Sequence, residues 1–89
     1  MVSEREMREI KENIWKAVSD EWRARNPKFT PPQYVQFYQR AIERCYIEPL
    51  LEKYDISIIL KIAKSILSDS DFKLLQDIIE RIESRKQRN

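Results

Sequence analysis

The sequence predicts an all-α, single-domain four-helix bundle with a proline-kinked segment near residue 49. Three observations point to it. A helix-start signature occurs three times, with about one helix length between occurrences. Between the starts, apolar residues recur at the three-and-four spacing of a helix face. The 89 residues include no glycine, so a strand has neither a hairpin turn nor a second strand to pair with.

The first start is Val2-Ser3-Glu4-Arg5-Glu6-Met7. Ser3 is placed to accept from the Glu6 amide while Glu6 reaches back, and Val2 is placed to staple onto Met7. A helix is predicted from Glu4 to Arg25. Met7, Ile10, Ile14, Ala17, Val18 and Trp22 form its apolar face, and Glu21–Arg25 sits among the charge pairs of the outer face. Asn26-Pro27 ends it, because the residue before proline avoids the α region.

The second start is Phe29-Thr30-Pro31-Pro32-Gln33-Tyr34. Thr30 is the expected cap, Gln33 closes the box, Phe29 staples Tyr34, and Pro31 takes the first helical position. This helix is predicted to run to about Ile47, with Tyr34, Phe37, Tyr38, Ala41, Ile42 and Cys45 on its apolar side. Glu48-Pro49 kinks it, and Leu50, Leu51 and Tyr54 continue inward.

Asp55 opens a weaker third helix. Over residues 56–67 only Ser57, Lys61, Lys64 and Ser65 form a polar strip, so this helix wants neighbours on three sides. A strand over 56–62 is the rival, since Ile56, Ile58, Leu60 and Ile62 alternate, but Ile59 breaks the alternation. The last start is Leu67-Ser68-Asp69-Ser70-Asp71-Phe72, with both aspartates favoured at the positive end of the helix dipole. The fourth helix runs from about Asp69 to Arg85, with Phe72, Leu75, Ile78, Ile79 and Ile82 inward. The domain spans 1–89, with 83–89 a frayed tail.

Composition narrows the chemistry. With no histidine, the default general base and metal ligand are missing. With no glycine, a phosphate-cradling loop cannot be built. Seventeen basic residues against fifteen acidic give +2, and no third of the chain is a polybasic arm. The expectation is a cytoplasmic protein with no membrane span, no cofactor, no metal and no small-molecule ligand. Cys45 reads as a buried core thiol, since no histidine exists to activate it. Asp69 and Asp71 read as capping residues, and with Asp77 they fall short of the six oxygens a calcium loop needs. Glu48 and Glu52, one turn apart, lack any sign of a pocket that would make them an acid–base pair. An enzyme is not expected.

Two functional classes remain. A chain this short builds a marginal core, and surplus apolar surface suggests a second chain. Trp15 and Trp22 lie seven residues apart on one side of the first helix, and Tyr34, Phe37 and Tyr38 cluster in the second. The core could absorb these rings. Alternatively, with Ile58 and Ile62, they face a partner. The expected function is therefore a non-enzymatic protein–protein interaction module, as a homodimer or as a small accessory subunit. The alternative is a small DNA- or RNA-associated regulator using two basic helix ends, Arg23, Arg25 and Lys28 at one and Arg81, Arg85, Lys86 and Arg88 at the other. The third and fourth helices outline a helix-turn-helix, but Asp71, Asp77 and Glu80 would bring three acids to phosphate.

Overall fold

The computed structural model describes residues 2–87. Four helical rods surround one core. The first is α1 (Glu4–Arg25). The second begins with a 3₁₀ turn at Pro32–Tyr34 and continues through α2 (Val35–Ile42), a π turn at Glu43–Ile47 and α3 (Glu48–Lys53). The third is α4 (Ile56–Ile66) and the fourth α5 (Asp69–Lys86). Residues 56–62 are helical, so the strand reading is discarded. The overall extents of 42 × 32 × 20 Å make a slab two helix diameters thick. α1 lies at the centre, packed against α2, the π turn, α4 and α5.

Local chemistry explains where the rods begin and end. Ser3 and Glu6 form the full reciprocal box, at 3.1 Å and 3.0 Å. Ser68 caps α5 by accepting from the Asp71 amide. Asp55 occupies the cap position of α4, but its side chain does not cap. Thr30 is not the cap the sequence suggested. Its hydroxyl turns inward and donates to the Arg23 carbonyl at 2.7 Å, beside the Asn26 amide that also donates there at the end of α1. Pro31 then precedes a 3₁₀ turn whose start has no side-chain cap.

Regular winding is interrupted near Pro49, as expected, by a π turn at Glu43–Ile47. Pro49 has no N–H to give the Cys45 carbonyl, and its ring would clash there. The chain answers with one wider turn, in which the Glu48 amide donates to the Glu43 carbonyl, five residues back. Leu50 is thereby delivered to the core. At the other terminus, residues 83–86 remain helical where fraying was expected, and Arg85 is tied to Glu43. The expectation for 88–89 lies outside the described residues.

The core joins Ile10, Ile14 and Ala17 of α1 with Ile47 and Leu50. It continues through Ile59, Ile62 and Ala63 of α4 and Leu74, Leu75, Ile78, Ile79 and Ile82 of α5. Each large aliphatic side chain buried this way contributes about 1.5–3 kcal/mol relative to exposure. Ile62 is therefore a core residue and not part of a partner surface, because the chain's own α1 and α5 cover that side of α4. Ile58, Leu60, Ile66 and Leu67 also pack against the core as half-buried neighbours, leaving Ile56 exposed. The most apolar helix is largely covered by its own chain.

On α1 the inward positions 10, 14, 17, 21 and 24 follow a four-three alternation, with Val18 buried beside them. Glu21, expected on the outer face, is consequently wholly buried, while Trp22, expected inward, is about half exposed.

Candidate functional site

A second glutamate, Glu43, is also wholly buried, and the two carboxylates organise the polar interior. Arg81 of α5 lies between them. Its Nη1 and Nη2 donate to Glu21 at 2.9 Å and 3.0 Å, and its Nε donates to Glu43 at 2.8 Å. Arg25 Nε and Gln39 Nε2 complete the shell of Glu21, at 2.8 Å and 2.9 Å. Arg40 and Arg85 complete that of Glu43. Arg40 also reaches Glu48 at 2.7 Å, and Arg25 reaches Asp77 at 3.1 Å. No buried side-chain nitrogen or oxygen among the described residues lacks a partner. Burial pushes the Glu21 carboxyl upward, but hydrogen bonds from Arg81 and Arg25 outweigh it and hold the group below the usual carboxylate range.

This network sets the facing of α2. Gln39, Arg40 and Glu43 look into the molecule, so the opposite side of the rod looks out. That opposite side is the apolar stripe. Tyr34, Phe37, Tyr38, Ala41 and Cys45 are all exposed, Phe37 to 68%. Only Ile42 of the expected inward set is buried. Cys45 is an exposed free thiol, a correction to the buried reading. The facing goes with the polar contacts of Gln39 and Arg40 to the buried carboxylates, which are costly to leave without partners.

Beside the stripe runs an open groove of about 620 Å³, between the end of α1 and α2. Arg23, Ala24, Phe29, Tyr38, Ile42 and Tyr46 line it, with Asp20, Thr30, Ala41 and Cys45. Phe29 is 68% exposed, so it does not staple a helix start as expected. Phe37 and Tyr38 meet edge to face, with ring centres 5.6 Å apart. Asn13 Nδ2 donates to the Tyr46 carbonyl at 2.9 Å, fixing the floor beside α1.

The candidate residues do not form one surface. Trp22 lies on the other flank of α1, where its Nε1 donates to Asp71 at the start of α5, at 2.7 Å. Trp15 shares that flank and lines a separate shallow depression with Met7 and Lys11. Ile58 is half-buried on α4. Tyr34, Phe37 and Tyr38 do lie together, joined by Phe29, Ala41 and Cys45. Exposure on α2 was missed because periodicity identifies residues that share a face without saying where that face points.

The basic set is divided as well. Arg25, Arg81 and Arg85 are spent on Glu21, Glu43 and Asp77. Arg23, Lys28 and Lys86 are exposed, and Arg88 lies outside the described residues. Among the described residues no group of three or more acids or cysteines is arranged to hold a metal ion, and no helix is long and apolar enough to cross a membrane.

Set against protein-family models, curated proteins and solved structures, the chain matches none of them.

Proposed function

We propose that the protein is a non-enzymatic interaction module that docks another protein chain on the outward stripe of α2. It acts either as a homodimer or as a small accessory subunit of a larger assembly. One observation carries this reading: an amphipathic helix held with its polar side inward and its apolar side to water. Monomeric proteins rarely leave a contiguous apolar patch uncovered unless something occupies it. Exposed aromatic rings such as Phe37, Tyr38 and Phe29 are the residue types that anchor interfaces. The cytoplasm is the compartment this reading assigns, and a free exposed thiol suits its reducing conditions. The nucleic-acid alternative is less well supported, since three of its seven cations are tied to carboxylates.

Light scattering after gel filtration, with an apolar fluorescent dye as a second probe, tests the proposal. The expected result is mass that rises with concentration or strong dye fluorescence, either lost in a Phe37→Ser/Tyr38→Ser variant of unchanged helicity. A monomer at every concentration that leaves the dye dark would overturn it.

A further inference from the structure

The charge around the stripe narrows the kind of chain that fits it. From Trp22 to Ile42 the sequence contains no acidic residue. The acids that bound this stretch, Glu21 and Glu43, are both wholly buried and paired. Apart from Asp20, the surface built by the end of α1, the following loop and α2 therefore carries only positive charge of its own. Arg23 lines the groove, Lys28 precedes Phe29, and Arg44 follows one turn after Arg40 at the far end of the stripe. All three are exposed and make no ion pair among the described residues. Asp20 is the one acid lining the groove. It faces Tyr46, whose phenol is pushed upward by burial and then by the Asp20 charge.

Resting on the docking reading above, we infer that the occupant is an amphipathic helix from a different protein, with an apolar stripe flanked by acidic residues. Three features select it. From Tyr34 to Cys45 the stripe runs about 16 Å along the rod, which is three turns of a facing helix. Ala24 and Ala41 along the groove let a second helix approach closely. The cations at the rim complement acids on that helix and steer its approach. A second copy fits less well. A two-fold contact places identical patches together, so the cations Arg23, Lys28 and Arg44 of one copy would face a rim that is equally cationic. A single-stranded nucleic acid also fits less well, because Phe37 and Tyr38 lie at 72° to one another and present no common stacking plane.

Two designed helical peptides with the same leucine stripe, one flanked by Glu and one by Lys, serve as probes, with an oligothymidylate as a third. Fluorescence anisotropy with the full chain follows binding at about 50 mM and about 500 mM salt. The Glu peptide is expected to bind about tenfold tighter at low salt, with the preference collapsing at high salt. An Arg23→Glu/Arg44→Glu variant is expected to reverse the preference. Equal affinity for both peptides, lost together in a Phe37→Asp variant, would overturn the acidic partner while leaving docking intact. Dimerisation sensitive to Phe37→Asp with no peptide bound would do the same in favour of a second copy. Binding of the oligothymidylate in preference to either peptide would overturn the acidic partner and the docking of protein together.

Discussion

α2 and α4 are both amphipathic, yet they solve the same problem in opposite ways. α4 places Ile59, Ile62 and Ala63 against α1 and α5 and shows water its lysines and serines. α2 and the turn before it show water Tyr34, Phe37, Tyr38 and Ala41, and give the interior Gln39 and Arg40 beside Ile42 and, one residue on, Glu43. The difference lies in what each meets. α4 meets aliphatic side chains, whereas α2, beyond Ile42 in the core, meets the Glu21 carboxylate, which takes only polar partners. A charged pair inside a small bundle thus dictates how a neighbouring helix turns, even where the helix's own apolar pattern argues for the reverse. Specifying orientation at a cost in stability is a known use of buried polar groups.

The largest effect expected from breaking this contrast is at Arg81. Arg81→Met removes the cation shared by two buried carboxylates and should destabilise by about 3 kcal/mol, the lower end for a broken buried pair because Arg25, Arg40 and Arg85 remain. At about 4–8 °C per kcal/mol for a chain of this size, thermal unfolding would reveal it plainly. The companion variant Glu21→Leu/Glu43→Leu/Arg81→Leu should fold as well as the parent. It should also lose the fixed facing of α2, seen as slower or heterogeneous labelling of Cys45. Uniform fast labelling in that variant would show that the network does not orient the helix.

Truncation sharpens the contrast next. Ile59→Ala should cost about 2–5 kcal/mol through the cavity it leaves. Phe37→Ala removes a larger side chain yet should stay within about 0.5 kcal/mol, since its ring is already in water. Urea unfolding of the two variants side by side checks this, and similar losses would place Phe37 inside.

Acid provides a graded probe of the polar half. Glu21 has a folded pKa below its ordinary 4.5, so the fold favours its ionised form. That contribution is present above about 4.5 and disappears as pH falls through the depressed folded value. Stability measured from pH 7 down to pH 3 should therefore decline in the parent and decline less in Glu21→Gln. The mildest test perturbs nothing: Cys45 should react with a thiol reagent in the native protein without denaturant. Protection of the thiol in the free chain would turn the stripe back inward.

Much of this was legible before any coordinates. The four rods, the Ser3 box, the Ser68 cap and the Ile10–Ile14–Ala17 seam follow from local chemistry, which neighbours a few residues apart can settle. Glu21 escaped because of its three partners only Arg25 is local, while Gln39 and Arg81 come from distant segments. A signal existed: the alternation 10, 14, 17 points to 21 and 24, and insisting on an apolar residue shifted the reading to Trp22. Thr30 escaped because its acceptor, the Arg23 carbonyl, belongs to the previous helix. On α2 the stripe itself was visible, but its direction is a property of what it packs against.

The wide turn at Glu43–Ile47 holds one residue more than an ordinary turn, so the second rod answers a change of length differently from the others. Deleting one residue there would restore ordinary winding and leave Leu50 and α3 nearly in phase with the core, while bringing the Pro49 ring back against a carbonyl four residues earlier. The same single-codon loss in the middle of α1 would instead rotate everything beyond it by about 100° and carry Glu21 away from Arg81.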